Sequence, residues 1–255
     1  MKSIIYGPVP SWRLGRSLGV DLVSTEGKTC SFDCIYCQLG RTIYPQVERR
    51  EFVTMTQLTR ELEEVKNNVV ADYVTFSGMA EPTLASNLGE AIRIAKSILS
   101  VPVAILTNSS LMPREDVCSD LAQADVVVAK IDAANEHMFR QINNPVVGYS
   151  FDQILYSIED FRKSFKGKLD LQMMFISINK NYASQMADIA RQISPDEVQL
   201  NTPLRPCPVK PLTPEAMAII KNEFTGLRVV NVYQGLKPEV MPLNLEETLR
   251  RRPKL

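Results

Sequence analysis

The sequence predicts an α/β fold: an open, partial (β/α)6 barrel of the TIM type with short terminal extensions, in a single domain over residues 1–255. Three observations predict it. Short β-branched apolar runs alternate with stretches whose apolar residues recur every three or four positions, the pattern of parallel strands joined by helical crossovers. About six such units fit, fewer than the eight that close a barrel. Each strand run ends in a polar cluster, and in a parallel barrel those carboxyl ends meet on one face, where active sites form.

The elements follow in order. Leu18 to Val23 is the first strand. Leu58, Leu62, Val65 and Val69 then recur at helical spacing, with Thr56 as the expected N-cap. Tyr73 to Phe76 is the second strand, and Leu88, Ile92, Ala95 and Leu99 mark a helix capped by Asn87. Val101 to Leu106 is the third strand, despite Pro102 near its start, and Pro113 opens a short helix carrying Val117 and Leu121. Val126 to Ala129 is the fourth strand, followed by a helix that carries His137 as a structural residue. Ser150 caps a helix that buries Ile154, Ile158, Phe161 and Phe165. Leu169 to Ile176 and Glu197 to Leu200 are the fifth and sixth strands. Thr213-Pro214 begins another helix, and Leu227 to Val232 is a last strand.

Composition narrows the class. At 255 residues, 45% hydrophobic and 23% charged, the chain can bury a large core and is ordinary for a globular protein. No apolar run is long enough to span a bilayer, and Gly7-Pro8 interrupts the N-terminus, so neither a membrane span nor a signal peptide is expected. Five cysteines do not make a disulfide framework in this length, so the expected compartment is the reducing cytoplasm. The absence of net charge argues against heavy reliance on phosphate contacts. The basic tail from Arg250 to Lys254 reads as a solvated end in preference to a binding arm.

Three cysteines carry the chemistry. Cys30, Cys34 and Cys37 fall in a C-x3-C-x2-C run. Thiolates this close converge on an iron–sulfur cluster, and three ligands on a 4Fe–4S cube leave one iron open to a small molecule. A structural zinc site and a chance run are the alternatives; zinc wants four Cys or His ligands, and the only histidine is His137. Other strand ends bring Ser77 to Pro82, Thr107 to Ser109, Lys130 to Asp132 and Asn201 to Arg205 to the same face.

The cysteine run, with Tyr36 before its third cysteine, resembles the signature of radical S-adenosylmethionine (SAM) enzymes, and Ser77-Gly78-Met79-Ala80-Glu81-Pro82 resembles their glycine–glutamate segment. Tyr6 to Ser11, Leu14 to Asp21, Phe76 to Gly78 and Glu81 to Leu84 are similar to a subgroup related to the wyosine-base (tRNA imidazoguanosine-type) synthases. The resemblance implies a 4Fe–4S cluster on Cys30, Cys34 and Cys37, with SAM chelating its open iron. It implies cofactor contacts from Tyr36, Gly78, Ala80, Glu81, Asn108, Lys130, Asp132 and Asn201. It also implies an external one-electron reductant of the flavodoxin or ferredoxin type. Reductive cleavage of SAM would give a 5′-deoxyadenosyl radical that takes hydrogen from a substrate.

Departures argue against wyosine synthesis itself. No cysteine precedes Cys30, Trp12 and Ala80 stand where related sequences have Arg and Gly, and Asn143-Asn144-Pro145 and Arg205-Pro206-Cys207-Pro208 replace their usual runs. A small molecule or peptide is the favoured substrate. Modification of a tRNA or other RNA base is an alternative, with Arg13, Arg16, Arg41, Arg49 and Arg50 as its footprint, and a non-catalytic electron carrier is another. Cys207, Lys130 and Arg205 are the candidate catalytic residues. Cys207, restrained by two prolines, reads as a hydrogen-atom donor or covalent anchor at the barrel mouth. Lys130 reads as an anion-binding cation in preference to a Schiff-base amine, and Arg205 as a carboxylate ligand or a surface ion pair. Cys118 reads as a small buried residue.

Overall fold

Elements β1 (Ile5–Ser11), β2 (Gly15–Val20), β3 (Thr29–Cys30), β4 (Tyr44–Pro45), α1 (Met55–Val65) and β5 (Tyr73–Phe76) lead the chain in the computed structural model, which describes residues 2–253. Strand and helix then alternate as α2 (Leu88–Ile98), β6 (Val103–Thr107), α3 (Glu115–Leu121) and β7 (Val126–Lys130). Two helices, α4 (Glu136–Asn143) and α5 (Phe151–Ser164), precede β8 (Lys168–Met174), and α6 (Ala183–Ile193) precedes β9 (Glu197–Asn201). The chain closes with α7 (Pro214–Asn222), β10 (Val229–Asn231) and α8 (Leu245–Arg251).

Eight strands form one curled sheet in the order β1-β2-β5-β6-β7-β8-β9-β10. All neighbours are parallel except β1, which runs antiparallel to β2 at the edge. No pairing joins β10 to β1 among the described residues, so the sheet is an open half-barrel, as its six βα units predict. Its outer face meets the helices in one core that includes Leu58, Leu88, Ile92, Ile154, Met186 and Met217. Its lower lumen is plugged by Leu14, Ala104, Val126 and Val128. The upper lumen is polar, and the site lies there.

Local chemistry sets most element ends. The Ser150 hydroxyl accepts the Gln153 amide and the Gln153 side chain accepts the Ser150 amide, a full capping box. Thr213 caps α7 ahead of Pro214. The α1 cap is Thr54, whose hydroxyl accepts the Gln57 amide, and Thr56 lies inside the helix. Asn87 precedes α2 but its amide donates to the Val53 carbonyl instead of capping.

The tail departs most from expectation. Arg250 and Arg251 belong to α8, and Arg251 is completely buried. Its Nε donates to Asp21 at 2.8 Å and its Nη2 to the Ser3 carbonyl at 2.8 Å. A guanidinium can leave water when a carboxylate and carbonyls satisfy its donors, and Asp21, itself 2% exposed, supplies that partner. Lys254 lies outside the described residues.

Candidate active site

The loop after β2 brings Cys30, Cys34 and Cys37 to a cavity at the carboxyl ends of the strands. The same wall carries Tyr36, Met79, Ala80, Glu81, Asn108 and Lys130, all from segments expected there, and Lys28 and Gln172, which were not. Amides serve the sulfurs: Asn108 Nδ2 approaches Cys30 Sγ at 3.4 Å and Asn143 Nδ2 approaches Cys34 Sγ at 3.4 Å. The Phe32 amide points at Cys30 Sγ from 3.5 Å.

Electrostatics center on the thiols. Burial pushes Cys30 up to about 12, helped by the nearby Cys34 and Glu81. Burial also raises Cys34, against the pull of Lys130 and the Asn143 amide. Lys28 is 4% exposed, and burial opposes its charge. Cys37, Cys30 and Cys34 outweigh that burial and hold its ammonium above the ordinary range.

Glu81 organises the wall through its own hydrogen bonds. Oε1 accepts Thr83 Oγ1 at 2.7 Å and Thr107 Oγ1 at 2.6 Å, and Oε2 accepts the Asn108 amide at 2.7 Å. Burial pushes its carboxyl up, and these donors pull it down. Both oxygens thus tie the loop after β5 to the loop after β6, and Oε1 also takes the Thr83 amide at the start of a 3-10 turn.

Asp132 stands one layer back. It is 2% exposed and does not line the cavity. It accepts the Tyr36 hydroxyl, Asn143 Nδ2 at 2.9 Å and the Met174 amide at 2.8 Å. Burial first, and then Asp132, hold the Tyr36 phenol well above its ordinary pKa, so it stays a donor. Asp132, expected at the cofactor, reaches the cavity through the Tyr36 hydroxyl. Lys130 Nζ lies 4.4 Å from the Tyr36 ring center and 3.7 Å from Asp132.

Gly78 is also behind the wall. A Cβ there would meet Asp21 Cγ at 2.3 Å, and Asp21 accepts the Met79 amide at 3.2 Å. Asp21 is pinned by Arg251 and cannot give way. The Gly78→Ala variant is therefore expected to lose ~1–3 kcal/mol through overpacking and to shift the Ser77–Glu81 loop. Thermal melting checks this; a midpoint equal to wild type contradicts it.

The remaining sequence-predicted residues fall elsewhere. Asn201 ends β9, where its Oδ1 accepts the Thr202 amide, and it does not line the cavity. Arg205 Nη1 donates to Gln38 Oε1 at 2.9 Å, beside Cys37. Cys207, expected at the barrel mouth, donates its thiol to the Val209 carbonyl at 3.1 Å, packs on the core and is absent from the cavity wall. The prolines do restrain that loop, but they turn it toward its own backbone. Cys118, on α3, donates to the Met112 carbonyl at 3.2 Å and is pushed up to about 11 by burial. The arginines expected as an RNA footprint do not form one patch. Arg16 pairs with Asp72, Arg41 with Asp33, and Arg49 with Asp116 and Asp120, while Arg50 lies over Phe52. Trp12 turns the β1–β2 hairpin and packs against Gly235.

A protein family described as the radical SAM superfamily matches residues 27–190. The chain belongs to the radical SAM superfamily. A UPF0026 protein of Methanocaldococcus jannaschii is 38% identical over 97% of this chain and 80% of its own length. A second UPF0026 protein, from Synechocystis sp., is 38% identical over 81% of this chain and 77% of its own. The finer likeness to wyosine-base synthases finds no support among these relatives. Among solved structures, Streptococcus suis SuiB bound to S-adenosylmethionine superposes with a TM-score of 0.65 at 14% identity. It covers 86% of this chain and 50% of SuiB. Native anSMEcpe with bound AdoMet superposes with a TM-score of 0.63 at 18% identity, covering 85% of this chain and 64% of that one. These likenesses establish the half-barrel fold.

Radical SAM proteins use a 4Fe–4S cluster and SAM. The residues present fit that pair. No three His, Cys, Asp or Glu side chains among the described residues gather tightly enough for a single ion, whereas three thiols flank one cavity, a set suited to separate irons of a larger cluster. The raised pKa values of Cys30 and Cys34 mark sulfurs that need a strong positive charge to ionise, which an iron core provides. Asn108, Asn143 and the Phe32 amide are the N–H donors such sulfurs accept. Among the described residues no helix is long and apolar enough to cross a membrane.

Proposed function

We propose that this radical SAM protein is an enzyme that cleaves SAM reductively and abstracts hydrogen from a small-molecule or peptide substrate. One observation carries the reading. The cavity has three thiols and no fourth: Cys118, on α3, donates to the Met112 carbonyl and Cys207 to the Val209 carbonyl, both off the cavity wall. An electron carrier wants a fully ligated cluster, whereas three ligands leave an iron for SAM. When bound, the cluster supplies one electron, delivered by an external reductant, that converts SAM to methionine and a 5′-deoxyadenosyl radical.

The chain's own residues bind and orient. Cys30, Cys34 and Cys37 hold the cluster, and Asn108 and Asn143 steady two of the sulfurs. The backbone at Met79 and Ala80 faces the methionine end of SAM, kept in place by Asp21 and by the Thr29–Ala80 bridge. Lys130 offers a cation to the SAM carboxylate or ribose, and Tyr36, locked by Asp132, forms a flat wall for adenine. Gln172 faces the same cavity from mid-strand β8, on the substrate side. Pairing of Arg16, Arg41 and Arg49 with carboxylates disfavours a phosphate backbone as the partner.

The test is anaerobic incubation of reconstituted protein with SAM and dithionite. Release of 5′-deoxyadenosine and methionine is expected. A fully loaded sample that releases neither would favor an electron-transfer role. Filter binding with bulk tRNA over a salt series is expected to give weak retention; tight, steeply salt-dependent retention would overturn the substrate class.

A further inference from the structure

Three arginines approach the cavity without a carboxylate to hold them. Arg13 leaves the β1–β2 turn, enters the lumen and donates to Gln172 Oε1 on the cavity wall. Its Nε is buried with no hydrogen-bond partner among the described residues. Arg205 reaches Gln38 at 2.9 Å, next to Cys37. Arg252 donates to Ser77 Oγ at 2.9 Å, next to Gly78, and lies over the Tyr6 ring at 5.6 Å. Arg13 thus bonds the wall itself, Arg205 a residue adjoining it, and Arg252 the start of the Ser77–Glu81 loop behind it. Among the described residues none of the three has a carboxylate at ion-pairing distance, whereas the neighboring Arg251 is paired twice.

Like charges collected in a half-buried space oppose folding unless something neutralises them. Burial, then the charges of Arg252 and Arg205, pull Arg13 down to about 9. Burial and Arg252 pull Arg205 down to about 10. Asp170 draws Arg13 the other way; its Oδ2 is held by Lys168 and Gln199, each at 2.9 Å, and its Oδ1 is buried without a hydrogen-bond partner. Arg13 and Arg205 remain cationic at neutral pH, and among the described residues neither has a carboxylate at ion-pairing distance. Guanidinium forks suit the paired oxygens of carboxylate and phosphate.

We infer that Arg13, Arg205 and Arg252 form the anion subsite of the substrate pocket, holding a carboxylate or phosphate group of the substrate beside the cofactor cavity. The inference rests on the reading of that cavity as the SAM site. It deepens that reading: the substrate carries an oxyanion, and its charged end sits on the Gln172 side of the cavity, where Arg13 is bonded.

The experiment is calorimetric titration of the reconstituted protein, saturated with SAM, with inorganic phosphate and separately with acetate. Saturable one-to-one binding is expected for at least one anion. Tighter phosphate points to a phosphoester, and tighter acetate to a carboxylate. Arg13→Gln and Arg205→Gln are expected to weaken it at least tenfold. Arg205→Lys, which keeps the charge, should recover part of the loss and guards against a misfolded glutamine variant. Arg60→Gln, on the outer face of α1, should change nothing. Absence of saturable binding to wild type overturns the subsite, as does binding undiminished in both glutamine variants. Binding seen without SAM and abolished by it would assign the arginines to the cofactor carboxylate and also overturn the subsite. A wild type that binds the anion but releases no 5′-deoxyadenosine would overturn the radical reading and leave the subsite standing.

Discussion

Replacing Cys30, Cys34 and Cys37 together by alanine is expected to abolish iron uptake. Wild-type protein reconstituted with iron and sulfide should take up about four irons per chain, the count of a cubane. The triple variant should take up none, because no other thiol lines the cavity. Single variants should lose most of the cluster, since two thiolates anchor only two irons. Cys118→Ala and Cys207→Ala should reconstitute fully, because each thiol bonds a nearby backbone carbonyl away from the cavity. Iron and sulfide analysis, with the visible charge-transfer band, measures all seven proteins. Equal iron in wild type and triple variant would remove the foundation of the proposed chemistry. Full loss in Cys207→Ala would bring a fourth ligand back into play and favor an electron carrier.

The cluster cysteines were legible because their signal is local: eight residues fix three ligands. The parallel strands were legible because β-branched runs such as Val126 to Val128 are buried on both faces and read as continuous apolar segments. Strand β1 was not, because Pro8 and Pro10 read as turn residues; an edge strand tolerates them, as its outer N–H groups need no partner. Helix α6 carries a clear apolar period: Met186, Ala187, Ala190 and Ile193 are buried at helical spacing. Gln172 had a readable signal. Asp170 and Gln172 alternate with Leu169, Leu171 and Met173, and in a barrel with a wet lumen the polar face of that alternation points inward.

Positions at strand ends proved weaker guides than the motif. They placed Asn108 and Lys130 on the wall, because each follows its strand by no more than one residue. Cys207 stands six residues past β9, and over that distance the loop, not the strand, decides where a side chain points. Asp132 shows the intermediate case: near enough to reach the site, it acts through the Tyr36 hydroxyl. The basic tail misled because a charge run says nothing of a partner 230 positions away in the chain.

That partner makes the tail the second large effect. Arg251→Ala is expected to destabilise the protein by ~3–5 kcal/mol, since truncation leaves the buried Asp21 carboxylate without its counterion. For a chain of this size that corresponds to a drop in melting midpoint of roughly 10 °C. The damage should reach the site. Asp21 Oδ2 accepts both Arg251 Nε at 2.8 Å and the Met79 amide at 3.2 Å, so α8 braces the loop assigned to the methionine end of SAM. SAM affinity in reconstituted protein should therefore fall along with the midpoint. Arg250→Ala is the matched control: its guanidinium is partly exposed and bonds only the Thr25 carbonyl and Glu247, so about 1 kcal/mol or less is expected. Arg251→Ala with Asp21→Asn removes the stranded charge and should regain part of the stability without regaining SAM affinity, because the amide cannot reproduce the charged acceptor at Met79. A melting midpoint for Arg251→Ala within a degree or two of wild type would mean that the buried pair contributes nothing and that the Ser77–Glu81 loop stands without its brace.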